Sequence, residues 1–375
     1  MSAASPQWPE VTLGEVCGFK YGKSLPEANR KAGQVPVFGS NGQVGLHDEA
    51  ITAGPTIVIG RKGSFGEVNS SPTPCWPIDT TYYIDSTATK ADLRWLAYRL
   101  SALGLTRLNR AAAVPGLNRE DAYRQRLLLP PLDEQRRIAR VLDRADALRA
   151  KRRTSLAQLD TLTQAIFLDM FGDPAAMLKK WPTKTLGEVA EIITGYPFRS
   201  EEYVKSGEAI RLCRGANVLP GRIDWSDLAR WPHSKSDEFA EFSLRVGDVV
   251  IAMDRPWISE GFKIARVLPE DCPALLVQRV ARIRGTAGVP NEFLFQLLNQ
   301  PAFTRHCRPT ETTVPHISPK EIRSFAYCFP PIDLQREFAR RVVAVEKLKA
   351  AYRASLAEMD ALFASLQHRA FRGEL

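Results

Sequence analysis

The sequence predicts an α/β (α+β) chain of two similar halves, each a β-rich domain closed by one long helix, with the two helices paired antiparallel. Three observations predict it. The residues Val114-Pro115, Pro130-Pro131-Leu132-Asp133, Gln135-Arg136 and Ser155-Leu156-Ala157 return 200 positions later as Val314-Pro315, Pro330-Pro331-Ile332-Asp333, Gln335-Arg336 and Ser355-Leu356-Ala357. The openings also match, Trp8-Pro9 and Leu13-Gly14-Glu15-Val16 with Trp181-Pro182 and Leu186-Gly187-Glu188-Val189, but at an offset of 173. Each copy then ends in a stretch with helical spacing. The ends are fixed while the interiors differ by 27 residues, which is a pseudo-twofold internal repeat around divergent contents.

Residues 11 to 85 read as short strands broken by glycine and proline. Gly54-Pro55-Thr56-Ile57-Val58-Ile59-Gly60 has the pattern of a buried strand between turns, and Thr80-Thr81-Tyr82-Tyr83-Ile84 that of a second. Leu93, Leu96, Ala97 and Leu100 are spaced for a helix. Tandem prolines 130 and 131 then stop the chain, and Asp133 is placed to cap the helix that follows.

That helix is expected from about Asp133 to Phe171, without glycine or proline. Its apolar seam is Ile138, Leu142, Ala145, Leu148, Leu159, Leu162 and Ile166. The second copy puts Phe338, Val342, Val345, Leu348, Tyr352, Met359, Leu362 and Leu366 in register with it. Steps of three and four residues are coiled-coil spacing. At 1.5 Å per residue each helix would be roughly 55 Å long. With no nearer partner in sequence, the two seams are expected to pack on each other.

Gly172, Asp173 and Pro174 end the first helix, and the segment to Lys180 reads as a linker. The second half resumes with Ile192-Ile193, Val249-Val250-Ile251 and the run from Leu276 to Ile283 as strands, then helical residues from Glu292 to Leu298. Ile57-Val58-Ile59 corresponds to Val249-Val250-Ile251 at an offset of 192. The extra length therefore precedes that strand, around Leu219 to Leu244, where Trp225, Trp231 and His233 lie.

A chain of 375 residues can hold two domains with proper cores. It has no run of about 18 apolar residues, and Met1 to Glu10 lacks a charged-then-apolar leader, so a soluble cytoplasmic protein off the membrane is expected. Its six cysteines (17, 75, 213, 272, 307, 328) form no Cys-x-x-Cys pair and read as free thiols. A net charge of +9 and a pI near 9.3 suit a polyanionic partner.

Catalytic motifs are missing. Gly18-Phe19-Lys20-Tyr21-Gly22-Lys23-Ser24 has three residues between its glycines where a phosphate loop needs four, and Leu25-Pro26 follows in place of a helix. The stretches from Gly60 to Gly66 and from Gly39 to Gly45 lack dinucleotide-binding spacing. No Gly-x-Ser-x-Gly, His-Glu-x-x-His or metal cluster occurs, and none of the five histidines has an obvious carboxylate partner. No catalytic residue and no metal site is assigned.

Residues suited to reading nucleic acid do appear. Arginine can make two bonds to guanine, asparagine and glutamine two to adenine, while lysine, serine and backbone N–H groups hold phosphates. In the first half the candidates are Ser40, Asn41, Arg61, Lys62 and Ser64, flanked by glycines. In the second they are Arg211, Arg214, Asn217, Asp254 and Arg255. Both sets lie just outside core strands, at equivalent places in the repeat.

On these residues the whole chain resembles the specificity subunit of a type I restriction–modification system. The resemblance is carried by the two Pro-Pro-[Leu/Ile]-Asp-x-Gln-Arg starts of long helices, with Ser-Leu-Ala and Phe171 or Phe371 late in each. The first half resembles a common variety of recognition domain, with Pro36-Val37-Phe38-Gly39-Ser40-Asn41-Gly42, Ile59-Gly60-Arg61-Lys62-Gly63-Ser64 and Trp76-Pro77-Ile78-Asp79-Thr80-Thr81. The second resembles another, with the runs from Gly247 to Pro256 and from Leu276 to Val280. The resemblance implies two α/β target-recognition domains, residues 1–132 and 181–332, each reading half of a split site in double-stranded DNA. It implies that helices 133–171 and 333–375, with the linker 172–180, set the spacing and dock two methyltransferase subunits, which restriction subunits join. Catalysis, S-adenosylmethionine, ATP and magnesium would belong to those partners. The competing expectations are a non-catalytic coiled-coil scaffold that binds proteins only, and a single-chain restriction or methyl-transfer enzyme.

Overall fold

The structure is a computed structural model that describes residues 8–108, 116–172, 181–205, 208–307 and 315–375. Val114, Pro115, Val314 and most of the expected linker, from Asp173 to Lys180, lie outside the described residues. The chain divides into two compact units, Met1–Thr154 with Arg353–Leu375, and Ser155–Tyr352.

The first unit opens with strand Glu10–Thr12 and the one-turn helix Leu13–Val16. Glu15 reaches back to the Thr12 backbone N–H at 2.6 Å and accepts from its hydroxyl at 2.7 Å. This acidic reach-back satisfies donors that a helix start otherwise leaves open. The second unit repeats it with Thr185 and Glu188 at the same two distances. Here the matching Leu-Gly-Glu-Val openings have become matching geometry.

A four-stranded sheet follows, ordered Lys20–Tyr21, Thr81–Ile84, Thr56–Gly60, Val68–Ser71. All five residues of Thr56–Gly60 are buried, as its unbroken apolar run requires. A three-stranded sheet, Gly42–His47, Val35–Gly39, Trp76–Pro77, pairs its last two strands parallel. Helix Leu93–Ala102, capped by the Asp92 carboxylate on the Arg94 and Trp95 N–H groups, seals the core with Trp95, Leu96 and Leu100.

The second unit uses the same plan. Its four strands run Ala190–Thr194, Val280–Gly285, Val249–Ala252, Ile264–Arg266, and its three run Arg230–Pro232, Ala209–Cys213, Ala274–Leu276. Helix Asn291–Leu298 takes the place of Leu93–Ala102. The added length lies largely between Cys213 and Arg230, where the first unit makes the short turn Ser40–Asn41, and it includes a hairpin of Val218–Leu219 with Arg222–Ile223. The run from Leu276 to Ile283 is not one strand: it breaks between Leu276 and Val280, and Arg279 has φ 66.

The long helices span Leu132–Phe171 and Ile332–Ala370. Asp133 sits inside the first turn rather than at its cap, because helix geometry already begins at Leu132. Each unit pairs part of one helix with part of the other, antiparallel. In the first unit Arg137 meets the Leu375 carboxyl end and Arg149 meets Asp360. In the second, Asp160 meets Lys349 and Phe167 meets Phe338.

The seam is shorter than the spacing predicts. Ile138, Leu142, Leu159, Phe338 and Val342 are buried, while Ile166, Met359 and Leu366 are half-buried. Leu148 is 55% exposed, Leu348 41%, Leu162 39% and Leu362 57%. These are corrections, and they fail in equivalent pairs. A helix of 3.6 residues per turn drifts by about 20° per heptad against a 3.5 repeat, so a long seam rotates off its partner. The interface is taken by charges instead: Arg149 bonds Asp360 at 2.6 Å and Asp146 at 2.7 Å, and Lys349 bonds Asp160 at 3.1 Å and Glu346 at 3.2 Å. The two triads are one arrangement written twice, with cation and distant acid exchanged between the helices.

Among the described residues no helix is long and apolar enough to cross a membrane. The six cysteines are free thiols.

Candidate nucleic-acid interface

In the first unit the turn after Val35–Gly39 and the loop after Thr56–Gly60 converge on one carbonyl. Ser40 Oγ donates to the Thr80 carbonyl at 2.7 Å, and the Arg61 and Lys62 N–H groups donate to it at 2.9 and 3.1 Å. Gly60 permits this: a Cβ there would lie 2.0 Å from the Ser64 carbonyl and 2.9 Å from that of Ser40. Ser40, Arg61, Lys62 and Ser64 are thus gathered, and Asn41 stands exposed at the turn.

The Arg61 guanidinium donates to the Asp79 carbonyl at 2.6 Å and lies 5.4 Å from the Tyr21 ring. Arg119 lies 5.6 Å from the same ring. Tyr21 is 55% exposed between them, so a flat aromatic surface is framed by two cations. Burial, and then the neighbouring Tyr21, pushes the adjacent Tyr82 phenol up to about 12. Sequence reasoning missed Tyr21 and Arg119. Their only signal was an aromatic and a cation near turns, which much of the surface shares.

The second unit builds the same frame. The Arg61 N–H to Thr80 carbonyl bond becomes Met253 N–H to Arg279 carbonyl, at 2.8 Å. The Leu117 N–H to Arg61 carbonyl bond of 2.9 Å becomes Ile317 N–H to Met253 carbonyl at 2.8 Å. Bridge Lys62–Gly116 corresponds to Asp254–His316.

Its display differs. Asp254 Oδ1 is 2.6 Å from His316 Nδ1, and Oδ2 accepts from Arg279 Nη1. Burial raises the Asp254 pKa, but the bonds from Arg279 and His316 outweigh it and hold the carboxyl below its usual range. Asp254 therefore stays ionised at neutral pH, and its contribution is lost as acid protonates it. His316 had no evident carboxylate partner in the sequence, and it finds one 62 residues away. Arg255 is exposed beside it at φ 44, its N–H bonded to the Pro315 carbonyl at 2.9 Å. Burial, and then the charge of Arg255, lowers the Lys263 pKa.

Three candidates belong to the fold instead. Arg211 donates to the Glu270 and Cys272 carbonyls at 2.7 and 3.0 Å and stacks 4.6 Å from Trp225. Asn217 is 1% exposed; its amide donates to the Asp224 and Asp227 carbonyls at 2.9 and 2.8 Å and accepts from the Arg214 N–H at 3.1 Å. Arg214 is tied to Asp227 at 2.9 Å. Longer insertions need internal bonds to hold them, and these residues supply them, so we place none of the three on the interface. The second unit's surface there is Asp254, Arg255, Arg279 and His316.

Among the described residues no three or more His, Cys, Asp or Glu side chains are placed to hold a metal.

Residues 6–159 match the family model described as the type I restriction modification DNA specificity domain. The chain is 35% identical over 151 residues to the EcoAI type I restriction enzyme specificity subunit of Escherichia coli, covering 40% of this chain and 25% of that one. It is 24% identical over 254 residues to the MjaVIII specificity subunit of Methanocaldococcus jannaschii, covering 64% of this chain and 59% of the relative. The matched regions thus span a quarter and about three-fifths of those relatives' lengths. In fold it is similar to the crystal structure of a type I restriction–modification system S subunit from M. genitalium, with a TM-score of 0.60 at 16% identity over 99% of this chain and 98% of the other. Residues 6–159 thus match that specificity domain, and the whole chain is similar in fold to a type I S subunit.

Proposed function

We propose that this chain reads a split, asymmetric site in double-stranded DNA for a type I restriction–modification complex, one half-site per unit, and carries out no reaction itself. The observation that carries the reading is the shared backbone frame with unlike side chains. The first unit displays Tyr21, Arg61, Lys62 and Arg119; the second displays Asp254, Arg255, Arg279 and His316. One frame with two chemistries suits two different half-sites, whereas an identical pair would suit a palindrome. A net charge of +9 supplies the phosphate attraction that every such protein needs.

On this reading two methyltransferase subunits and the restriction subunits dock on the chain in the cytoplasm. They bring S-adenosylmethionine, ATP and magnesium, and the methyltransferases extrude their target bases. The long helices act as the spacer between half-sites, which for heads on one face of a duplex lie roughly one turn or 34–36 Å apart.

The exposed pairs Leu148 with Leu348 and Leu162 with Leu362 also favour a protein-binding scaffold. One experiment separates the two readings: co-expression with a methyltransferase subunit of the same system, then single-molecule sequencing of host DNA for methyladenine. A split, asymmetric methylated motif is expected. A stable complex that leaves DNA unmodified, or modifies it without sequence preference, would favour the scaffold.

A further inference from the structure

We propose that Arg279 is the base-reading residue of the second unit, that it reads a guanine, and that Asp254 and His316 position it. The proposal rests on the reading that this unit binds DNA, and goes beyond it by naming the reader and its base.

Arg279 interrupts what the sequence offers as a continuous strand, and it does so at φ 66. A side chain other than glycine is disfavoured in the left-handed region, and such conformations concentrate at functional sites. The bend turns the side chain outward: it is 67% exposed, although its neighbour Val280 is fully buried. Exposed arginines ordinarily sample many rotamers. This one is held, because Nη1 donates to Asp254 Oδ2, and Asp254 is itself held at 2.6 Å by His316 Nδ1.

The guanidinium has five N–H donors in a flat fork. With Nη1 on Asp254, the edge formed by Nη2 and Nε has no partner among the described residues, and that edge matches the paired O6 and N7 acceptors of guanine in the major groove. Asp254 engages both of its oxygens, Oδ2 with Arg279 and Oδ1 with His316, so its part is to hold the arginine. Left bare, its charge would repel phosphates; paired with Arg279, it is neutralised. Arg255, exposed next to it, suits a phosphate.

The first unit gives the same frame another reader. The position of Arg279 is there Thr80, whose carbonyl collects the Ser40, Arg61 and Lys62 donors, and the guanidinium comes from the half-buried Arg61 on the facing loop. Two units related by a repeat thus draw their arginine from opposite sides of one hydrogen bond.

The test is the methylated motif made by the full complex, co-expressed with this chain as wild type, R279A, R279K and D254N. Wild type is expected to demand a guanine in one half-site. R279A should keep the split motif and the other half-site but relax discrimination at that one base pair by about tenfold to a hundredfold. R279K keeps the charge without the fork and should relax the same base pair, which guards against a variant that simply fails to fold. D254N should relax it less, since the reader remains but is free to swing. A motif unchanged in both Arg279 variants, or relaxed evenly at all positions as a lost phosphate contact would be, overturns the proposal while leaving the DNA-reading role intact. A wild-type complex with no sequence preference removes both.

Discussion

The two units solve the same packing problem with different side chains, and the differences show which parts of the repeat are under physical constraint. Where the long helices meet their sheets, the first unit buries Ile138, Trp95 and Phe371, with the Arg99 guanidinium 5.1 Å from the Phe371 ring. The second buries Phe338, Phe293 and Phe171 at the corresponding places and adds Phe167, with ring centroids 5.1 to 5.9 Å from Phe167. Volume is exchanged between neighbours while the backbone bonds hold. A core tolerates such trades if total volume and pattern are kept.

The helix seam is the part of the comparison easiest to break. Leu159 is 9% exposed in the second unit, whereas Leu362 is 57% exposed in the first, although spacing puts both on one seam. Leu159→Glu is therefore expected to cost several kcal/mol, because it buries an unpaired carboxylate. Leu362→Glu should stay within about 0.5 kcal/mol, the ordinary range for an open surface. Chemical denaturation of both variants checks this. Equal losses would mean that the seam is continuous after all.

A smaller effect separates Gln135 from Gln335. Both amides donate to a proline carbonyl, Pro130 at 2.8 Å and Pro330 at 2.7 Å. Gln135 Oε1 also accepts the Asp92 N–H at 2.8 Å, at the cap of helix Leu93–Ala102. The matching helix in the second unit is capped by Pro290, which has no N–H, and Gln335 Oε1 finds no partner among the described residues. Gln135→Leu strands a donor and an acceptor and should cost about 1–3 kcal/mol. Gln335→Leu strands only the Pro330 carbonyl and removes an unsatisfied oxygen, so it should cost clearly less. Hydrogen exchange at the first turn of Leu93–Ala102 would sharpen the point: it should quicken in Gln135→Leu, while the start of Asn291–Leu298 stays unchanged in Gln335→Leu.

The parts of the molecule legible in sequence are those governed by local rules. Thr12 with Glu15, the buried run Thr56–Gly60 and the proline-started helices each carry their own signal, and the repeat doubled every one. Burial along the helices was not legible, because leucine at 148 or 362 obeys the spacing whether or not a partner faces it. The geometry of the candidate residues was partly legible. The glycine-flanked loop from Arg61 to Ser64 announces a close backbone approach, which the Gly60 contacts confirm. Arg211 and Asn217 have the right chemistry, but only the fold reveals that Asn217 spends its whole amide inside the insertion and that Arg211 is tied through Nη2 to two carbonyls and stacked on Trp225. Arg279 was hidden inside a strand pattern, since nothing in Val277-Gln278-Arg279-Val280 marks the left-handed turn.

The smallest expected difference lies between the paired charges. Asp360 accepts from Arg149 at 2.6 Å and from Arg153 at 3.1 Å, and Arg149 also lies 4.2 Å from the Phe363 ring. Asp160 holds Lys349 alone, at 3.1 Å, and that lysine keeps Glu346 at 3.2 Å. Both acids are substantially exposed, so solvent screens the pairs and each is worth about 1 kcal/mol or less. Asp360→Asn should nevertheless cost more than Asp160→Asn, because it loosens two planar guanidinium contacts rather than one point charge that retains a second acid. Thermal melts at low and high salt check the order. The gap between the variants should narrow as salt rises, since only the electrostatic part is screened. A gap that persists at high salt would shift the origin of the difference from charge to the packing of Arg149 on Phe363.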